Sequence, residues 1–344
     1  MTLLKKETIF TFYATVIIMV NLKKFIIRKG TMMSEKKQSK NRINNHISRR
    51  SMLRMVAGTG AAGAAALTIG SCATGAGHLR PAATRGRIKH SIASWCFAPY
   101  WDLDKMCQVA RQLGCKSIEL VGPDDFATLK KYGLTCALAP NGTPDPPFVK
   151  GFNNPEYHDM IIAKTRETID ACAEYNFPNV IAFTGFREDI PDDVGAKNCV
   201  TGLKKIIGYA ERKKVNLCME ILNSRVDVEM KGHPGYQGDH TDYCMEIIRR
   251  VGSPRMKLLF DIYHVQVMDG DVISRIRQYK DYIGHYHTAG NPGRGELDDK
   301  QEINYPPIIK EIVKTGYRGY VGHEFVPTRN PLEGLTEAVT ICDV

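Results

Sequence analysis

The chain alternates between short apolar runs and longer stretches in which apolar residues recur every three or four positions. Continuous short runs predict buried strands, and the 3.6-residue period predicts amphipathic helices. The predicted strands are 88–95, 117–121, 135–140, 179–184, 216–222, 257–263, 283–288 and 319–325. The helical pattern falls between them, over 102–113, 157–175, 194–213, 241–250, 272–282 and 307–314.

This alternation predicts an α/β fold with parallel strands, because each helix must return the chain to the same end of the sheet. Eight strands with intervening helices match a (β/α)8 TIM barrel built as a single domain. A doubly wound open sheet is the alternative, but no glycine-rich phosphate loop follows the first predicted strand. We therefore predict a TIM barrel over residues 90–344.

The first 89 residues differ from the rest in charge. They hold 17 of the 47 Lys and Arg but only 2 of the 37 Asp and Glu. The net charge of +10 therefore belongs to this leader, and the remaining 30 basic and 35 acidic residues make the predicted barrel mildly acidic. An acidic domain gives no electrostatic reason to expect nucleic acid as a partner.

The leader resembles an export signal. Twin arginines, Arg49 and Arg50, precede a Gly/Ala-rich apolar stretch over 55–70 that is too short to span a membrane, a pattern typical of Tat export. Cys72 follows small residues as in a lipobox, so we expect a lipid anchor there and a periplasmic or membrane-anchored lipoprotein; ordinary signal-peptidase cleavage is the alternative. We interpret 1–77 as leader, with 1–31 an extension upstream of the true start, and 78–89 as a linker.

The ten cysteines are scattered along the chain without a C-x-x-C pair. Several lie within or directly after predicted strands, Cys96, Cys136 and Cys218 among them. We interpret them as small buried apolar residues, because that is how free cysteine usually packs.

Four successive apolar runs in the second half of the chain end in an acidic or imidazole side chain: Glu220, Asp261, His287 and Glu324. In a barrel the carboxyl ends of the strands share one rim, so these side chains should converge. Three buried carboxylates and an imidazole are costly together unless a cation pairs with them. The oxygen-rich set predicts one divalent metal ion, and it suits Mn²⁺, Mg²⁺ or Co²⁺ better than a structural Zn²⁺.

Such a site would suit a substrate with a carbonyl beside a hydroxyl. Both oxygens could chelate the cation, which acidifies the intervening C–H and stabilises the enediolate that forms when the proton leaves. Returning the proton to the neighbouring carbon gives isomerisation, whereas delivering it to the opposite face of the same carbon gives epimerisation. Two glutamates beside the cation permit either outcome.

Several co-linear motifs resemble hydroxypyruvate isomerase and its relatives in the xylose isomerase-like superfamily of sugar isomerases and epimerases. The resemblance spans roughly residue 90 to the C-terminus and is densest after residue 216. The motifs are Met219-Glu-Ile-Leu-Asn-Ser-Arg225, Phe260-Asp-Ile-Tyr-His-Val-Gln266, Ile283-Gly-His-Tyr-His287, Asn291-Pro-Gly-Arg-Gly-Glu296, Glu302-Ile-Asn-Tyr305 and Gly322-His-Glu-Phe325.

The resemblance implies that the four converging residues are metal ligands and that Glu220 and Glu324 also transfer the proton. It implies substrate contacts for His264 and Arg294. His287 departs from the hydroxypyruvate isomerases, which commonly have glutamine at this position, and matches the ketose 3-epimerases. The metal ligands thus favour the epimerases, while the loop that contains Arg294 favours the isomerases.

Further side chains near the predicted rim are candidates on position alone. His233 lies in a Gly/Pro loop after the fifth predicted strand, and we predict that it contacts substrate. His285 has the strand parity of His287 and is a candidate to support it, whereas the parity of His323 points it away from the lumen. Trp95 is a candidate apolar wall for a sugar face, with core packing as the alternative.

We therefore predict a divalent-metal-dependent isomerase of a small hydroxy-carbonyl substrate. The alternatives are a ketose 3-epimerase, a keto-sugar epimerase or lyase on an unphosphorylated sugar, and a non-catalytic sugar-binding surface lipoprotein. An abasic-site endonuclease shares this barrel, and the resemblance implies for it a trinuclear zinc site with further histidines from the second and third strands. Here those predicted strands end in Glu119-Leu-Val-Gly and Ala139-Pro-Asn-Gly, without such histidines. The partner is then a small molecule, membrane contact is only through Cys72, and a homo-oligomer is left open.

Overall fold

A computed structural model describes residues 81–344, and in them seven strands pair in parallel. The strand order around the sheet is β2-β1-β7-β6-β5-β4-β3. The strands are β1 Lys89–Ala93, β2 Ser117–Glu119, β3 Asn179–Ala182, β4 Asn216–Glu220, β5 Met256–Asp261, β6 Ile283–Thr288 and β7 Tyr320–His323.

The predicted third strand closes the barrel without being a regular strand. Residues 135–139 lie between the two edge strands: Ile118 of β2 donates its N–H to the carbonyl of Thr135, and Ala139 donates to the carbonyl of Asn179 in β3. At Ala137, midway between these contacts, side chains replace the backbone partners. The Ala137 N–H donates to Ser117 Oγ, and its carbonyl accepts from the Asn179 side chain. The ladder is therefore interrupted, although the segment occupies the eighth position of the barrel.

Ten α-helices cover the outside of the sheet in the described residues. Most run between successive strands, as the alternation of periods predicts. They are α1 Ser94–Phe97, α2 Leu103–Leu113, α3 Phe126–Lys131, α4 His158–Tyr175, α5 Asp192–Lys213, α6 Thr241–Val251, α7 Ile262–Met268, α8 Val272–Tyr279, α9 Tyr305–Lys314 and α10 Pro331–Cys342.

Helix α2 shows how the sequence sets these elements. Asp102 caps its start by accepting a hydrogen bond from the Lys105 N–H, and Gly114 ends it with a left-handed φ of 84°. Met106, Ala110 and Leu113, three to four residues apart, are buried. They pack into the hydrophobic core that the helices share with the outward faces of the strands.

The sixth predicted strand, 257–263, extends two residues too far. It ends at Asp261, and α7 begins at Ile262. The cause is a cap: one oxygen of Asp261, Oδ1, accepts hydrogen bonds from the backbone N–H groups of Tyr263 and His264 at 2.8 and 3.1 Å. This turn starts a helix directly on the rim of the barrel and leaves the second carboxylate oxygen of Asp261 free.

The nine cysteines among the described residues are all buried, and none of the nine forms a disulfide. Their interpretation as apolar filler is confirmed for these positions. Burial raises the pKa of their thiols, for example that of Cys115 to about 12. Cys72, the twin arginines and the whole predicted leader over 1–77 lie outside the described residues.

Part of the predicted linker contacts the barrel. The backbone N–H groups of Thr84 and Arg85 both donate to Asp343 Oδ2, at 2.7 and 2.9 Å. Among residues 81–344, no helix has the length and apolar character needed to cross a bilayer.

Candidate metal centre

The four predicted ligands converge at the carboxyl ends of neighbouring strands. Glu220 and Asp261 end β4 and β5, His287 is the penultimate residue of β6, and Glu324 directly follows β7. All four are buried, and one ligand atom from each lies within 4.8 Å of the others. His287 Nδ1 is 2.9 Å from Glu324 Oε2, 3.3 Å from Glu220 Oε1 and 3.9 Å from Asp261 Oδ2.

Three of these four ligand atoms have no hydrogen-bond partner despite their burial: Glu220 Oε1, Asp261 Oδ2 and His287 Nδ1. An unpaired buried polar atom is costly, and three pointing at one spot form an exception to the usual pairing of buried groups. A divalent cation would satisfy all three lone pairs at once, so the residues fit a metal ion. Their assignment as ligands stays a prediction.

The two glutamates differ in their surroundings. Both oxygens of Glu324 accept hydrogen bonds, Oε1 from Trp95 Nε1 at 2.8 Å and Oε2 from Arg294 Nη2 at 2.6 Å. Burial alone would raise the pKa of Glu324, but His287 and Arg294 outweigh it and lower the pKa to about 2. Burial and the nearby charge of Glu324 instead raise the pKa of Glu220 to about 7.

Asp261 and His287 take opposite pKa shifts. Burial raises the pKa of Asp261 to about 6, although Arg294 opposes the shift. For His287 burial would lower the pKa, but the carboxylates of Glu324 and Glu119 reverse this and hold it well above its usual value. Charge compensation inside this cluster therefore depends on protons when no cation is bound.

Sequence reasoning missed the role of Glu119, the last residue of β2. Its Oε1 lies 2.7 Å from His287 Nε2, on the side away from the ligand cluster. His285 Nε2 contacts the same carboxylate at 3.0 to 3.1 Å. The available signal was an acidic side chain inside a short apolar run, since a fully buried carboxylate needs partners.

Arg294 lies beside the centre, and its contact with substrate stays a prediction. It is buried in the loop after β6 with a φ of 52°, a left-handed conformation that is uncommon for a residue other than glycine. Nη1 donates to the carbonyl of Met230 at 2.9 Å, Nη2 donates to Glu324, and the guanidinium stands 5.2 Å from the ring of Trp95. Its third donor, Nε, is buried and unpaired.

His264 also points an unpaired nitrogen at the centre. Its Nδ1 accepts the backbone N–H of Asn223 at 2.9 Å, so in the neutral ring Nε2 carries the proton. Burial and the charge of Arg294 keep the pKa of His264 well below its usual value, which favours that neutral form. Nε2 is buried without a partner, 3.7 Å from Asp261 Oδ2.

The last two candidate histidines, His233 and His323, lie on different sides of the rim. His233 lies on the rim, with its ring 5.9 Å from His264 and 4.3 Å from Phe148, and burial lowers its pKa to about 4. His323 faces the other way, where it contacts His90 at 3.1 Å and Thr288 at 2.9 Å. His233 is therefore placed where substrate contact is feasible, and His323 belongs to the packing behind the rim.

Comparison with known proteins matches residues 107–341 to the model of the xylose isomerase-like TIM barrel family. The chain belongs to this family. Within it, the chain is 35% identical over 134 residues to the putative hydroxypyruvate isomerase of Homo sapiens, covering 39% of this chain and 47% of that protein. It is 38% identical over 102 residues to the hydroxypyruvate isomerase of Escherichia coli, covering 30% and 39%. The matched stretches thus span less than half of either relative.

Solved structures agree with the architecture of the barrel. The structure described as an AP endonuclease, family 2, from Brucella melitensis superposes with a TM-score of 0.63 at 22% identity, covering 72% of this chain and 96% of that one. At this identity the likeness shows the fold alone. The predicted TIM barrel is confirmed, together with its resemblance to the hydroxypyruvate isomerases.

Proposed function

We propose that this protein is a divalent-metal-dependent isomerase of a small hydroxy-carbonyl compound. The observation that carries the proposal is the cluster of Glu220, Asp261, His287 and Glu324, whose ligand atoms lie within 4.8 Å of one another while three of them have no other partner. The similarity to hydroxypyruvate isomerases over part of the chain supports the same reaction class.

Within this site the two glutamates have different tasks. A divalent cation supplies Lewis acidity that makes the C–H between two substrate oxygens easier to deprotonate. Glu220, whose pKa burial and the charge of Glu324 raise in the metal-free protein, is suited to take that proton and return it through the carboxylate oxygen that does not face the cation. Glu324 is held ionised by Trp95 and Arg294 and serves to bind and orient.

Two buried donors are available for a substrate anion. Arg294 Nε and His264 Nε2 both lack partners, and both residues lie within 4 Å of Asp261 Oδ2. A charged donor beside a neutral one suits a carboxylate or an ionised hydroxyl. We therefore propose a small hydroxy-keto acid of the hydroxypyruvate type as substrate, with His233 at the outer side of the pocket.

The test is product analysis on purified protein loaded with Mn²⁺, Mg²⁺ or Co²⁺, using hydroxypyruvate, free ketoses and keto-glycosides in D₂O. The proposal predicts the aldehyde isomer of the hydroxy-keto acid, with turnover lost after chelation and restored by the metal. A change of configuration at the labelled carbon would indicate an epimerase instead. Ligand binding without turnover across the panel would contradict an enzymatic function.

A further inference from the structure

A second set of polar contacts lies behind His287, on the side opposite to the proposed cation. Glu119 is fully buried there, although β2 ends with it and most carboxylates at such positions face solvent. Its Oε1 is 2.7 Å from His287 Nε2. The next residue, Leu120, has a φ of 59°, which is rare for a bulky side chain and marks a constrained turn directly after Glu119.

We propose that Glu119 is a positioning residue that fixes His287 as a metal ligand. An ionised carboxylate only accepts hydrogen bonds, so the nitrogen 2.7 Å away must carry the hydrogen. A neutral imidazole has one N–H, which leaves the lone pair on Nδ1, the atom that faces Glu220, Asp261 and Glu324. The inference rests on the proposed metal site, and it assigns to Glu119 the choice of tautomer and the ring orientation.

His285 holds Glu119 from the other side. Its Nε2 lies 3.0 Å from Oε2 and 3.1 Å from Oε1 of the carboxylate, and its ring stands at 88° to that of His287. The two histidines are two residues apart on β6 and face the same way. With one imidazole on each flank, the carboxylate has little freedom to rotate.

Gly322 provides the space that Glu119 occupies. It lies opposite His287 in the pairing of β6 with β7, and a Cβ atom added at this glycine would lie 2.2 Å from Glu119 Oε1 and 2.8 Å from its Cδ. Glu119 therefore reaches from β2 to β6 past two intervening strands only because β7 carries no side chain at that point. This contact offers a way to displace Glu119 without altering any polar group.

The experiment measures Mn²⁺ affinity by calorimetry on wild-type protein and on Glu119→Leu, Glu119→Gln and Gly322→Ala. We expect Glu119→Leu and Gly322→Ala to weaken binding by about 10- to 100-fold, the usual effect of losing a partner of a ligating histidine. Glu119→Gln should lose less, because its amide oxygen can still accept from His287. Gly322→Ala keeps the test decisive if Glu119→Leu fails to fold.

Gly202→Ala is the matched control. Its added Cβ would lie 2.7 Å from His158 and 2.8 Å from Phe152, in the helical layer away from the centre. This variant should melt at a lower temperature and still bind Mn²⁺ with wild-type affinity. Loss of affinity in Gly202→Ala equal to that in Gly322→Ala would reduce the effect to general destabilisation and overturn the inference.

Nitrogen-15 NMR of the histidine rings in protein loaded with diamagnetic Mg²⁺ shows which nitrogen of His287 carries the proton. Wild type should show His287 protonated on Nε2 alone, and Glu119→Leu should lose the hydrogen-bonded Nε2–H signal. If wild type fails to bind any divalent cation, the proposed function is wrong. If wild type binds but Glu119→Leu and Gly322→Ala bind equally well, only the role of Glu119 is wrong.

Discussion

The candidate centre has a glutamate on each of two sides, and the two differ in their hydrogen-bond partners and in their pKa. On the β7 side, Glu324 accepts hydrogen bonds from Trp95 and Arg294 and keeps a low pKa. On the β4 side, Glu220 has an unpaired oxygen and a pKa raised to about 7. Their nearest oxygens lie at similar distances from His287 Nδ1, 2.9 Å for Glu324 and 3.3 Å for Glu220. Hydrogen-bond partners, rather than position in the cluster, thus separate the carboxylate with the raised pKa from the one with the lowered pKa.

The largest expected effect comes from Glu220→Gln. With metal at saturation we expect turnover to fall by about 10³-fold, within the range that a lost general base costs. Glu324→Gln should act mainly on metal affinity and lower saturated turnover less. Glu311→Gln is the control: this carboxylate of the outer helix α9 pairs with Arg277 of α8, away from the centre, so both parameters should stay unchanged. Equal losses of saturated turnover in the two glutamate variants would indicate that both carboxylates transfer protons, and would contradict the different roles proposed for Glu220 and Glu324.

The pH dependence of metal binding should follow the Glu220 side. Its raised pKa means that the metal-free protein holds a proton there below about pH 7, and the cation must displace it. Affinity should therefore increase as the pH rises and gain nothing further from this group above about pH 7. Between pH 7 and pH 6 this group alone should lower the Mn²⁺ affinity about fivefold. Glu220→Gln should lower the slope of log Kd against pH by about one proton; an unchanged slope would assign the proton elsewhere.

The smallest effect is expected from Trp95→Phe, which removes one hydrogen bond to Glu324 and keeps an aromatic ring beside Arg294. A hydrogen bond to a charged group contributes about 1.5 to 3 kcal/mol, and relaxation and Arg294 should limit the loss in kcat/KM to about tenfold. Trp101→Phe, at a ring that stacks on Phe97 in the same region, is the control. A loss as large as that of Glu220→Gln would show that Glu324 is not merely held in place.

Much of the barrel could be predicted because buried parallel strands have continuous apolar runs in the sequence. A polar residue such as Glu220 or Asp261 at the end of a run then marks the rim without knowledge of the helices. The chain order of these strand ends also indicated which side chains would meet. Convergence of the four side chains needed only the topology, whereas the distances between their atoms needed the structure.

Two features could not be predicted for physical reasons. Apolar side chains continue after Asp261, so the pattern alone does not separate β5 from α7, and the cap made by Asp261 Oδ1 decides the boundary. Around Ala137, hydrogen bonds from the side chains of Ser117 and Asn179 interrupt the strand, although the residues have strand-like composition. Side-chain to backbone bonds of this kind compete with regular ladders and leave little trace in a hydrophobic pattern.

The contact between Glu119 and His287 could not be predicted either, because it brings together residues that are far apart in the chain. Glu119 and His285 are 166 residues apart, and their contact also depends on the missing side chain of Gly322. A buried acid in β2 signals that a partner exists without saying which residue it is. Pairings of this range follow from the closure of the barrel and not from any local preference.

The nine sheltered thiols make the folded domain indifferent to the redox state of its surroundings. Each of these sulfurs is enclosed by the core and shifted away from the thiolate form, so oxidants and alkylating reagents meet no accessible thiol among residues 81–344 while the barrel is closed. The same groups become available together once the chain opens. The rate at which these nine cysteines are labelled therefore reports the global opening of the barrel, independently of any catalytic assay.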